Sequence, residues 1–147
     1  AAGLPRYETS NWARPGEESR HNLKYWRREP VLALGVSAAS FDGARRRTNS
    51  GSIPAYLEAV RKTGTAFAGE ETLPAGPALR EGVLLGLRLA SGVPEDAFAG
   101  ARATLSADDA ARLDDAFEAG LLARRDGRVR LTRSGVLLSN EVFQLLL

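Results

Sequence analysis

Residues 105–132 read LSADDAARLDDAFEAGLLARRDGRVRLT. Ser106, followed three residues later by Asp109, is a capping-box-like start, with Leu105 placed as a hydrophobic staple. The helix it opens carries Leu113 and Phe117 on one face and stops at Gly120. Leu121 to Thr132 then predicts a hairpin turning at Asp126-Gly127, because that pair tolerates the positive φ of a tight turn. Thr132 is placed to cap a last helix that directs Val136, Leu137, Phe143 and Leu146 inward. Helix, short hairpin, helix is the outline of a winged helix, here from residue 105.

Upstream, residues 78–91 space Leu79, Val83, Leu84 and Leu87 as a helix that ends at Gly92. Pro94-Glu95-Asp96 opens a short helical turn bearing Phe98. Residues 66–77, with Pro74 and Pro77, read as a linker. Residues 53–63 predict a helix with Pro54 in its first turn, Tyr56, Leu57 and Val60 on one side and Gly64 as its stop. The polar run 43–51, containing Arg45-Arg46-Arg47, reads as a surface loop. Val31-Leu32-Ala33-Leu34, between Pro30 and Gly35, is short, apolar and without alternation, which predicts a strand buried on both faces of a parallel sheet. The fold class expected is α+β, mostly helical.

The composition, 44% hydrophobic and 26% charged in 147 residues, excludes wholesale disorder and leaves room for one domain or two small ones. No stretch approaches the roughly 18 consecutive apolar residues of a membrane span, and no signal peptide is legible. The chain has no cysteine and one histidine, so neither a Cys-ligated cluster nor a multi-histidine metal site can be assembled from it alone. It has no methionine and starts Ala1-Ala2-Gly3, which suggests a fragment of something longer. The net charge of +2 creates no uniform field for polyanions.

Two local constellations bear on function. Residues 7–26, YETSNWARPGEESRHNLKYW, hold both tryptophans and the histidine, His21. An imidazole can ligate haem iron, and indoles can cover a flat ring. The plainer alternative is a loop anchored by its aromatics with His21 hydrogen-bonded inside. The second constellation is the arginine-rich hairpin with Arg124, Arg125, Arg128 and Arg130, which would suit the wing of a nucleic-acid-binding regulator. The helix before it carries Asp108, Asp109, Asp114, Asp115 and Glu118, which a phosphate backbone would repel, so no nucleic acid is expected. Arg45-Arg46-Arg47 could pair with propionates or phosphates, but a solvated role is favoured.

The 7–26 string resembles the YEISNFA-x-PG…HN-x-x-YW segment of the oxygen-independent coproporphyrinogen III oxidase-like family, which comprises radical S-adenosylmethionine proteins and their haem-chaperone branch. Leu34-Gly35 with Ala38 and Ser40-Phe41 is similar to the family's LG-x-x-A-x-S-F segment. Residues 81–88 resemble its E-x-x-x-LGLR helix. Gly120-Leu121-Leu122, Leu131-Thr132, Gly135, Asn140 and Val142-Phe143 resemble its C-terminal end. HN-x-x-YW is typical of the haem-chaperone branch. That branch usually reads GPGAHS where this chain has Gly35-Val36-Ser37-Ala38-Ala39-Ser40, closer to the GVSAIS of the decarboxylating oxidases.

The resemblance implies the last strands of a partial β/α barrel over residues 1–50, followed by a helical C-terminal domain over 51–147. It implies a parent protein with a 4Fe–4S cluster and S-adenosylmethionine, acting in porphyrin biosynthesis or haem delivery in the cytoplasm. Its tetrapyrrole is haem or coproporphyrinogen III, and a haem acceptor protein is a further possible partner. The site residues carried over are His21, Asn22, Tyr25 and Trp26 for haem, and Ala39 for the adenosyl group. The barrel's cluster motif needs cysteines, so this portion alone is expected to be catalytically inactive.

Overall fold

The computed structural model describes residues 3–147. The chain runs through β1 (Arg6–Glu8), β2 (Asn11–Trp12), α1 (Arg20–Trp26), β3 (Ala39–Phe41), β4 (Arg45–Asn49), α2 (Ile53–Thr63), β5 (Phe67–Thr72) and α3 (Ala75–Leu87). It continues as β6 (Val93–Pro94), α4 (Glu95–Arg102), α5 (Ala107–Glu118), β7 (Leu122–Arg125), β8 (Arg128–Leu131), α6 (Arg133–Leu137) and α7 (Ser139–Gln144). It divides into two compact units: residues up to Arg27 together with Ala75–Leu147, and Arg28–Pro74. The boundary expected near residue 50 falls inside the second of these.

The first unit holds the hydrophobic core. Val83 and Leu87 of α3, Phe98 and Ala101 of α4, and Leu113 and Ala116 of α5 pack with Leu122, Val129 and Leu131 of the hairpin and with Val142 and Phe143 of α7. Ser106 caps α5 by accepting from Asp109 N at 3.1 Å, and its hydroxyl donates to the Asp109 carboxylate at 2.8 Å, while Leu105 packs on the core. The hairpin turns at Asp126 and Gly127 with φ of 53° and 70°, the two positive values a type I′ turn needs. The three-stranded antiparallel sheet has the order β6-β8-β7. With α3, α4 and α5 before the hairpin, this is the winged-helix succession, and it begins at α3. Gly135 is required by close approach: a β-carbon there would lie 1.9 Å from the Leu121 carbonyl oxygen.

The second unit has almost no core. Among its described residues only Ala66, Ser40 and Asn49 are buried. Asn49 Nδ2 donates to the Gly35 carbonyl at 2.8 Å, and Ser40 Oγ accepts from Ala33 N at 3.0 Å. Polar contacts therefore do much of the work that apolar packing does in the first unit. Its sheet, order β3-β4-β5, is antiparallel throughout.

Several sequence expectations are corrected here. Residues 31–34 do not form a strand of a parallel sheet: only Val31 pairs, antiparallel with Phe41, and Leu32 and Leu34 are 78% and 83% exposed. Burial on both faces needs a layer on each side, which this unit does not provide. The 43–51 run is not a loop, because Asp42 accepts from Ala44 N and Arg45 N to close a turn that starts β4. Arg45, Arg46 and Arg47 are then paired across the sheet with Thr72, Glu71 and Glu70. Residues 66–77 are not a linker but β5 and the first turn of α3, where Pro77 needs no donor. The last helix breaks at Leu138 into α6 and α7, and the break leaves Leu137 81% exposed instead of buried. Leu79 is likewise exposed on α3. Among the described residues no helix is long and apolar enough to cross a membrane.

Candidate functional site

The segment 7–26 is ordered by its polar residues. Glu8 is fully buried at the end of β1, and its carboxylate accepts from Thr9 Oγ1 at 3.1 Å, Ser10 N at 3.0 Å and the Asn11 side-chain amide. A buried carboxyl group is tolerated when its oxygens are hydrogen-bonded, and here the next three residues each supply a donor. Gly16, at φ 87°, turns the chain and donates to Glu18 at 3.0 Å. Ser19 then caps α1 by accepting from Asn22 N at 3.3 Å.

On α1, four of the expected site residues lie together. His21 and Tyr25, one turn apart, meet edge to face with ring centres 4.9 Å apart and planes at 78°. Both are exposed, so His21 is not a core histidine hydrogen-bonded inside, and the segment is a hairpin and a helix, not an aromatic-anchored loop. Asn22 and Trp26 follow on the next row and are partly buried. The Arg88 guanidinium covers the Trp26 ring, its carbon 4.9 Å from the ring centre. Ala39, expected near an adenosyl group, is exposed at the start of β3 in the other unit, opposite Thr48.

The donor set decides what these residues can hold. Among the described residues no three His, Cys, Asp or Glu side chains cluster for a metal ion. The absence of cysteine from the sequence means that these residues do not fit an iron–sulfur cluster. A single exposed imidazole beside an aromatic ring offers one nitrogen donor, enough for one contact to a metal that other ligands already hold.

Three of the four wing arginines are engaged internally, while Arg125, its side chain 78% exposed, reaches the neighbouring Asp126 carboxylate at 3.6 Å. Arg128 donates to the Ser91 and Gly92 carbonyls, each at 2.7 Å, and Arg130 donates to Ser91 at 3.1 Å. Arg124 lies 4.0 Å over the Phe117 ring. Asp114 on α5 forms a bidentate pair with Arg102, and the hydrogen bond from Arg102 holds its carboxyl below the usual range. Arg88 and Glu8 were not singled out individually by sequence reasoning. The run of Thr, Ser and Asn after Glu8 was the available signal for one; the other needed the fold.

Residues 74–138 match the HemN C-terminal domain family. The heme chaperone HemW of Bacillus subtilis is 34% identical over 144 residues, covering 97% of this chain and 38% of that protein. HemW of Mycobacterium tuberculosis (strain H37Rv) is 37% identical over 147 residues, covering 100% of this chain and 36% of that protein. The chain thus spans little more than a third of the length of these relatives. The solved structure of coproporphyrinogen III oxidase (HemN) from Escherichia coli, described as a radical SAM enzyme, superposes with a TM-score of 0.65 at 20% identity. It covers 92% of this chain and 35% of that one, a likeness of fold. With the family match across the winged-helix region and the HemW similarity across the whole chain, the chain belongs to the coproporphyrinogen III oxidase-like family and corresponds to the C-terminal part of its members.

Proposed function

We propose that this chain is the tetrapyrrole-contacting portion of a radical S-adenosylmethionine haem chaperone, with His21 as the residue that meets haem iron. The observation that carries the reading is the exposed His21–Tyr25 pair on a capped helix, in a chain similar over its whole length to proteins named heme chaperone HemW. Tyr25 or Trp26 flanks the macrocycle, and Asn22 offers an amide to its polar edge. The 4Fe–4S cluster and S-adenosylmethionine belong to the parent protein, with Ala39 beside the adenosyl group by its place in Gly35-Val36-Ser37-Ala38-Ala39-Ser40. The parent acts in the cytoplasm and passes haem to an acceptor protein. Nucleic-acid binding is disfavoured, because three of the four wing arginines, Arg124, Arg128 and Arg130, are spent on carbonyls and a ring while α5 exposes Asp108, Asp115 and Glu118. A second reading, decarboxylation of coproporphyrinogen by the parent, draws support from the fold shared with HemN.

The test is a haem titration of the whole protein that contains this chain, with wild type and His21→Ala. The variant is expected to shift the Soret band and weaken binding while melting within about 0.5 kcal/mol of wild type, as an exposed side chain should. An unchanged spectrum combined with a lower melting temperature would remove the iron-contact role.

A further inference from the structure

Three helices of the first unit meet at Arg88, just past the end of α3. Its guanidinium carbon lies 4.9 Å from the ring centre of Trp26 on α1 and 5.0 Å from that of Phe143 on α7. Stacking against two rings fixes where the guanidinium sits but neutralises none of its charge. Arg88 Nε is buried without an acceptor, and among the described residues no carboxylate pairs with the group. Other arginines of the chain are differently placed: Arg47 is bonded to Glu70 at 2.7 Å, Arg102 to Asp114, and Arg128 to two carbonyls.

Beside Arg88 lies a groove of about 330 Å³, lined also by Leu84, Asn140, Phe143, Gln144 and Leu147. Asn140 and Gln144 stand one turn apart on α7, and both are exposed. The groove therefore offers one uncompensated cation, two amide side chains and apolar walls. One cation matches a singly charged carboxylate better than a doubly charged phosphate, and a planar guanidinium takes two carboxylate oxygens at once.

We propose that this groove is a carboxylate subsite in which Arg88 holds a propionate of the tetrapyrrole and the Asn140 and Gln144 amides complete its hydrogen bonding. The inference rests on the tetrapyrrole reading above and adds the group that orients the ligand. The apolar walls take the edge of the macrocycle. Because Arg88 also stacks on Trp26, the subsite is joined to the helix that presents His21.

The experiment titrates the whole protein with haem and with haem dimethyl ester, whose propionates carry no charge, using wild type and Arg88→Gln. Arg88→Gln is expected to weaken haem binding roughly tenfold to a hundredfold, the range of one charged hydrogen-bonded contact. Its Soret position should stay unchanged, since the iron contact is intact. The ester should bind both proteins alike, and about as weakly as haem binds the variant. Equal weakening of haem and ester by the substitution would mean that Arg88 only braces Trp26 and Phe143, and overturns the subsite. Equal binding of haem and ester by wild type overturns it as well, a comparison that needs no variant and stays decisive should R88Q fail to fold. Haem that binds wild type, with a Soret band moved by His21→Ala but no discrimination against the ester, removes the subsite alone. Failure of wild type to bind either ligand removes the tetrapyrrole reading and the subsite with it.

Discussion

The Arg102–Asp114 pair ties α4 to α5 through two parallel hydrogen bonds. Hydrogen bonding by Arg102, then its charge and that of Arg124, depress the Asp114 carboxyl from its ordinary value of 3.8. A depressed folded-state value means that the pair's stabilisation is present above the unfolded value and is lost as pH falls through the folded one. Asp114→Asn should therefore melt lower than wild type above about pH 4, with the gap closing as the pH drops beneath the usual carboxylate range. The difference should be small, because both side chains are well exposed and water screens them. A gap that stays constant from pH 7 to pH 2 in thermal melts would contradict this account. Asp114 was visible beforehand only as one of several acids on a helix. Its partner Arg102 sits on a separate helix, and a pairing made by tertiary packing has no local spacing to reveal it. Caps and turns behave differently. Ser106, Thr132 and Asp126-Gly127 act on backbone within three residues of themselves, and all four do what their chemistry forecasts.

At the scale of elements, the two units should differ in how firmly they hold their amides. Helix α5 buries Ala110, Leu113 and Ala116, and β8 alternates part-buried and buried residues. Helix α2 buries nothing, and every residue of β5 is exposed. Local opening costs least where few apolar contacts are lost, so hydrogen exchange should be fastest in α2 and β5 and slowest in α5 and β8. Comparable protection in α2 and α5 would refute this. The same contrast explains what could be read from the sequence. The winged-helix end was legible because its periodicity, caps and turn all agree with burial on one face. Within residues 28–74 only α2 was, through Pro54 in its first turn and Gly64 at its stop; the strands around it were not, because an apolar run such as 31–34 carries no register of its own and the arginine triplet looks like solvated surface until Glu70 and Glu71 face it. For the candidate site, the segment bearing His21 is marked by its motif, whereas the helix it forms is not foreshadowed there. The junction of Trp26, Arg88 and Phe143 has no such mark, since its members are scattered along the chain.

At the scale of the whole molecule, the chain carries a near balance of charge, and its basic residues are largely arginines engaged with carbonyls, rings and carboxylates. Such a surface has little long-range pull on a polyanion. The arrangement of β3, β4 and β5 has one further consequence, for concentrated solutions. β5 is an outer strand of its sheet, six residues long and exposed throughout, with an unpaired row of backbone donors and acceptors on its far side. Such a rim is a template on which a second chain can add a strand, and charged side chains are a common safeguard against it. Glu70 and Glu71 are the only charges on β5, and they also bridge to Arg47 and Arg46. Replacing both by glutamine should leave the winged-helix unit folded while light scattering rises with protein concentration, more steeply than for wild type. Unchanged scattering from a folded double variant would mean that something other than these two carboxylates keeps the rim of this sheet from recruiting its neighbours.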